Sequence, residues 1–260
     1  MVRGGAGIFR LAAIDLDGTL LRSDGTIGGR TKQAIRDTAL DIVLVTARGP
    51  MTMHVIAEEL GVSGTAICSN GALVFDLASR TTIRQRLLET EVALQLVHEL
   101  RERLPGIRFA VEHEDFAHEP GFSAWNWTPP PGTRVADVVE LLADPATKLI
   151  LRHADYETVA IQDLAREIVG KGLTVVASGS EAVEVTAAGV NKATAVAELG
   201  VPPEEVIAFG DYPNDIPMLT WAGRGVAMGN AHADVIAIAD EVTATNDEDG
   251  VAVVLERLGG

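Results

Sequence analysis

One cysteine, Cys68, stands in a chain of 260 residues, so no disulfide can form within it. Its apolar neighbours, Ala66 and Ile67, suit a buried inert thiol better than a nucleophile. That usage fits a reducing compartment, and a cytoplasmic location is expected. Aromatic residues make up 4% of the chain, so its 47% hydrophobic content must build an aliphatic interior. Positive charge is also scarce: 21 Lys and Arg against 37 Asp and Glu give a formal net charge of −16. Such a surface repels phosphate backbones and anionic lipid, which argues against nucleic acid and membranes as partners. Nothing approaches a membrane-spanning apolar run, and Met1 to Arg10 lacks the apolar core of a signal peptide. The same charge would repel a small anionic substrate. Any phosphate site must therefore be made locally positive, by a metal ion or by chosen Lys and Arg residues.

What is present is a series of short apolar runs, each ending in polar residues. Leu11–Ile14, Ile42–Val45 and Thr65–Cys68 read as buried strands separated by helical patterns over Thr31–Ala39 and Pro50–Leu60. Pro50 suits a first helical turn, and Gly61 a C-terminal stop. Strand, helix, strand, helix, strand predicts a parallel sheet with right-handed crossovers. The middle of the chain differs, with helix candidates over Glu91–Arg103, Val135–Leu142 and Tyr156–Val169. Its strands are expected at Ile107–Val111, Lys148–Leu151, Leu173–Ala177 and Ala182–Thr186. After Asn191 the first pattern returns. The expected fold is α/β: a Rossmann-like parallel-sheet core built from residues 1–76 and 189–260, with residues 77–188 inserted as an α+β domain.

Polar landmarks stand where those strands end. Asp15 and Asp17 close the first, and open α/β sheets bind ligands at the carboxyl ends of their strands. Thr46 closes the second, followed by Arg48 near a helix start, a fit either to phosphate or to a simple cap. Lys192 opens a helix after Asn191 and carries little weight alone. Phe209-Gly210-Asp211-Tyr212-Pro213-Asn214-Asp215 follows another apolar strand. The helix dipole accounts for an acid at Asp215 but not for Asp211 as well. Four carboxylates brought together need a hard divalent cation among them, and oxygen-only donors favour Mg²⁺. With Thr46 and Lys192 facing the remaining anion, the set suits phosphoryl transfer.

These landmarks, in this order, resemble the four motifs of the haloacid dehalogenase superfamily, and the Gly-Asp-x-x-Asn-Asp form of the last resembles its Cof-type branch. The resemblance spans essentially the whole chain and implies that the insert is a cap closing over the core and shaping leaving-group choice. It implies a Mg²⁺-dependent phosphatase of small phosphorylated metabolites, such as a sugar phosphate or a cofactor phosphate. Asp15 would be the nucleophile, forming an aspartyl-phosphate, and Asp17 the acid and then the base. The metal would be held by Asp15, Asp211 and the Asp17 carbonyl, with Asp215 acting through a metal-bound water. Phosphate contacts would come from Thr46, Ala47, Arg48 and Lys192, with Gly18, Asn70 and Asn214 flanking them. The chain is expected to work as a monomer or homodimer. Two rival readings share the fold: a phosphomutase using the same aspartates, and a non-catalytic phospho-ligand binding protein.

Two departures stand out: Ala47 where the family usually has glycine, and a first crossover that looks about one helical turn, or roughly 5 Å, short. Elsewhere, His113 and His118 among Glu112, Glu114, Asp115 and Glu119 read as a solvated acidic loop rather than a second metal site. Trp125 and Trp127 lie in a proline-rich aromatic loop with no clear period, suited to packing or to gripping a ring.

Overall fold

The computed structural model describes residues 9–113, 115–123, 129, 132–178 and 181–259. Trp125, Trp127 and Glu114 lie outside them. The chain divides into two compact units, Met1–Ile83 with Lys192–Gly260, and Arg84–Asn191. Both breaks fall a few residues later than expected.

In chain order the strands are β1 (Leu11–Asp15), β2 (Asp41–Val45), β3 (Thr65–Cys68), β4 (Leu73–Asp76), β5 (Thr81–Gln85), β6 (Arg108–Glu112), β7 (Phe116–His118), β8 (Arg134–Val135), β9 (Lys148–Arg152), β10 (Leu173–Ser178), β11 (Ala182–Ala187), β12 (Val206–Gly210), β13 (Arg224–Ala227) and β14 (Glu241–Val242). The first sheet runs β14-β13-β12-β1-β2-β3-β4-β5, parallel from β14 to β3. It turns antiparallel at β4, a strand that was not expected from the sequence.

Alternation along β1 explains its nearly unbroken apolar run. Ala12 and Ile14 face a core with Leu44, Phe209, Met53, Leu60 and Leu255. Leu11 and Ala13 face a second core with Val43, Val45, Ala208, Val196 and Met218. Successive side chains point to opposite faces, so a strand covered on both sides must be apolar throughout. Helices Gly29–Asp37, Met53–Leu60 and Gly250–Gly259 cover the first face, and Lys192–Ala197, Ile216–Trp221 and Ala233–Ile238 the second. Gly61 ends the Met53–Leu60 helix in a left-handed turn, φ 75°.

The second unit is a sheet of order β10-β11-β9-β6-β7-β8, antiparallel except between β7 and β8. Helices Thr90–Arg103 and Thr158–Val169 pack on one face, over Phe109, Val111, Leu149, Leu151, Val183 and Val185. The helix expected over Val135–Leu142 is one turn, Val138–Leu141, because Arg134 and Val135 pair in the sheet. The acidic loop expected around His118 is instead a hairpin of β6 and β7. Its Glu112, His118 and Glu119 are buried, because the strands draw them into the sheet. Glu119 answers its own burial with bonds from the backbone N–H groups of Phe109 and Val138 and a pairing with Arg101.

Candidate active site

Register places the polar landmarks side by side. Ile14 of β1 pairs with Phe209 of β12, and Asp15 pairs with Val45 of β2. Asp15, Asp211 and Thr46 therefore emerge at one edge of three adjacent parallel strands. Lys192, at the start of its helix, is buried. Its Nζ donates to Asp15 Oδ1 at 2.6 Å and to Asp215 Oδ1. The other Asp215 oxygen accepts the backbone N–H groups of Asp211 and Tyr212, each at 3.0 Å. Asp211 Oδ1 accepts the Thr19 hydroxyl at 2.9 Å. Oxygens of Asp15, Asp211 and Asp215 lie within 4.8 Å of one another.

Glycine is required at two places here. Gly18 has φ +78°, and a Cβ there would collide with the Asp211 carboxylate. At Gly210 a Cβ would lie 2.5 Å from that of Asp215. The backbone must pass this close for the two acidic loops to meet.

Burial, then the neighbouring Asp215, raises the Asp15 carboxyl well above its ordinary value, with Lys192 opposing. Asp211 is pushed up to about 7, first by burial and then by Asp215, while the Thr19 hydrogen bond pulls it down. Burial alone would lower the Lys192 pKa; Asp15 and Asp215 outweigh it and hold the ammonium above its ordinary range. One ammonium thus faces three carboxylates. The excess negative charge and the hard oxygen donors fit Mg²⁺, and no soft ligand is present in the set.

Asp17 stands apart from that cluster. Its half-exposed carboxylate is held by Arg48, with Nε 2.8 Å from Oδ2 and Nη2 on Oδ1. Arg48, expected on the phosphate, reaches Asp17 with two of its guanidinium nitrogens. Thr46 does not cap the helical turn that starts at Pro50, whose N-cap is Gly49; its hydroxyl accepts the Arg48 N–H at 3.0 Å. Ala47 is absent from the described positive-φ residues, so the backbone does not demand glycine there. Asn70 adopts a left-handed conformation, φ 54°, and its Oδ1 accepts from Asn214 Nδ2 at 3.0 Å. Asn214 Oδ1 is buried without a partner. A cleft of about 480 Å³ opens beside Asp17, Gly18 and Arg48, reaching Arg22, Asn230 and Asp247.

A model of haloacid dehalogenase-like hydrolases matches residues 12–255. The chain belongs to that family. As a haloacid dehalogenase-like hydrolase it is 33% identical over 255 residues to the Bacillus subtilis 5-amino-6-(5-phospho-D-ribitylamino)uracil phosphatase YcsE, covering 95% of each chain. It is 31% identical over 263 residues to the Escherichia coli pyridoxal phosphate phosphatase YbhA, covering 94% of this chain and 96% of that one. The solved structure of BT1666 from Bacteroides thetaiotaomicron, a phosphatase of the same superfamily, superposes with a TM-score of 0.81 at 26% identity, over 100% of this chain and 98% of that one.

Within this hydrolase the structure brings together Asp15, Lys192, Asp211 and Asp215, with Thr46, Gly18, Asn70 and Asn214 on neighbouring loops. Sequence reasoning missed Thr19 as a partner of Asp211 and Asn230, which donates to the Gly18 carbonyl at 2.8 Å. Thr19 was within reach, lying two residues past Asp17 where the strand pattern breaks. Asn230 carries no local signal, because only the β13 crossover brings it near.

Proposed function

We propose that this hydrolase is a Mg²⁺-dependent phosphatase of small phosphorylated metabolites that works through an aspartyl-phosphate on Asp15. One observation carries the reading. A buried Lys192 is bonded to Asp15 while Asp211 stands within reach of the same point, all at the carboxyl edge of a parallel sheet. A lysine and a carboxylate in contact are a structural pair; adding a second and third carboxylate makes a site for a cation and the anion it accompanies. Relatives named as phosphatases of a phosphoribityl compound and of pyridoxal phosphate support the substrate class.

Asp15 and Asp211, with the Asp17 carbonyl, would hold Mg²⁺, which supplies neutralising charge where the phosphate meets the Asp15 carboxylate. Asp215 is already committed to Lys192 and two backbone N–H groups, so it would orient the site rather than bind the metal directly. An Asp15 oxygen attacks phosphorus as the P–O bond to the ester oxygen breaks. Asp17 gives its proton to that departing oxygen, yielding the free alcohol. It then takes a proton from water, whose oxygen attacks phosphorus and returns Asp15 as a carboxylate with release of inorganic phosphate. Lys192 and Thr46 would bind phosphoryl oxygens, with the Ala47 backbone and the Asn70–Asn214 pair shaping the loop around them.

The test is a phosphate-release screen over sugar phosphates, nucleotides, vitamin phosphates and a chromogenic aryl phosphate, with Mg²⁺, beside Asp15→Asn. Phosphate released by the natural chain and not by the variant is the expected result. No release from any substrate overturns the proposal, and isomerised sugar phosphate in place of inorganic phosphate would make the protein a mutase.

A further inference from the structure

We infer that Asn230 is a positioning residue for the metal, holding the turn after β1 at the spacing from the Asp211 loop that Mg²⁺ requires. The inference rests on the phosphatase reading above and deepens it. Residues 228–232, between β13 and the helix that follows, contribute no carboxylate. They are nevertheless bonded to both acidic loops. The N–H groups of Met228 and His232 donate to the Gly210 and Asp211 carbonyls, at 3.1 and 2.8 Å. Asn230 Nδ2 donates to the Gly18 carbonyl at 2.8 Å. Its Oδ1 accepts the Asn246 N–H at 2.9 Å, so a donor on one side and an acceptor on the other fix which way the amide points. The buried Asn246 in turn donates through Nδ2 to the Leu21 carbonyl at 2.9 Å. Two linked asparagines thus hold both ends of the turn 18–21.

What that restraint does follows from Gly18. Glycine is the residue freest to swing its flanking peptides, and this one sits at φ +78°. The peptide before it carries the Asp17 carbonyl, proposed above as a metal ligand. The residue after it is Thr19, whose hydroxyl meets Asp211. The turn's own bonds at this end are long, 3.3 Å from the Thr19 N–H to the Leu16 carbonyl and 3.2 Å from the Leu20 N–H to the Asp15 carbonyl. Asn230 supplies the shorter tie, and it ties the turn to the same loop that holds Asp211. Mg²⁺ demands a near-ideal octahedron of oxygens at about 2.1 Å, whereas Ca²⁺ accepts more ligands over a wider range of geometry. A loosened carbonyl therefore costs Mg²⁺ more than Ca²⁺.

The experiment titrates Mg²⁺ and Ca²⁺ calorimetrically into the full chain without substrate, comparing the natural sequence with Asn230→Ala and Ser23→Ala. Ser23 lines the same cleft but is bonded, through its N–H and its hydroxyl, to Asp247 rather than to either acidic loop. Asn230 is exposed, so its truncation should leave the fold in place, which the metal-free melting temperature checks. Asn230→Ala is expected to raise the Mg²⁺ dissociation constant by about tenfold or more, the effect of losing a group that orients a metal's direct ligands. The Ca²⁺ constant should rise much less, and Ser23→Ala should change neither. A general loosening of the fold would weaken both ions alike. Equal losses for the two ions, a loss shared by Ser23→Ala, or Mg²⁺ affinity untouched by Asn230→Ala would each overturn the inference and leave the phosphatase reading standing. A natural chain that binds no Mg²⁺ overturns that reading, and this inference with it.

Discussion

Two buried lysines sit between carboxylates in this protein, one in each unit, and the contrast between them separates the cluster proposed to react from one that pairs strands. Lys192 meets Asp15 and Asp215 at the ends of strands, in loops whose glycines let backbones approach closely. Lys148 meets Glu112 at 3.1 Å and Glu184 at 3.2 Å, all three on paired strands of the second sheet. There Glu112 and Lys148 are direct cross-strand partners. Both ammonium groups are held above their ordinary range by flanking acids that outweigh burial. The difference is Asp211. A third carboxylate at the strand-end site leaves it short of positive charge, while the Lys148 triad comes nearer to balance. A buried lysine between acids therefore marks a site only where more acid is present than the lysine can answer.

Removing the acid that is proposed to react is the strongest way to sharpen that contrast. Asp15→Asn should lower phosphate release on the order of 10³-fold or more, measured as single-turnover rate with Mg²⁺ present. Next comes stability. Lys148→Met strands two buried carboxylates and should cost about 3–5 kcal/mol in urea unfolding. Lys192→Met should cost a similar amount without metal. Mg²⁺ should recover much of the second loss and none of the first, since of the two sites it is the strand-end one that adds Asp211 to the acids the lysine meets. Equal recovery, or none in either, would break the comparison.

The convergence of Asp15, Thr46 and Asp211 was legible in the sequence because each ends or directly follows an apolar strand, and parallel pairing does the rest. The partners of Thr19 and Asn230 were not legible, because they lie 192 and 212 positions away along the chain. The Lys148 triad was invisible for a related reason. Glu112, Lys148 and Glu184 fall on three strands whose order, β11-β9-β6, does not follow the chain. His118 was misread for want of β7, three residues long and too short to show a period.

A pH series separates the two clusters more gently. The Asp211 carboxyl, raised to about 7, binds a proton in the folded metal-free chain that the unfolded chain gives up near pH 4. Between those values the folded state holds more protons, so metal-free stability should fall as pH rises toward 7. Mg²⁺ competes with that proton. The melting-temperature gain on adding Mg²⁺ should therefore be large at pH 8 and shrink at pH 6. The Lys148 cluster changes stability in the same direction but at far higher pH: its contribution is complete below the ordinary lysine pKa and is lost only as pH rises through the raised one. In Asp211→Asn the Mg²⁺ gain should depend less steeply on pH in this window, keeping the part that belongs to the raised Asp15 carboxyl, while an unchanged dependence would place the titration elsewhere.

The smallest expected effect concerns Ala47, in the loop after β2 that is proposed to contact phosphate. Ala47 takes the place the family usually gives to glycine, and its methyl group could crowd a bound phosphate. The backbone gives no reason for glycine, because Ala47 is absent from the described positive-φ residues. Arg48 and Ser69 also hold the loop on either side by hydrogen bonds that do not involve the methyl. Ala47→Gly should then cost about 0.4–1 kcal/mol of stability through the freer unfolded chain, read by thermal melting. It should leave kcat/KM unchanged. A rise of about tenfold, equivalent to about 1.4 kcal/mol of barrier, would show that one methyl group restrains the site.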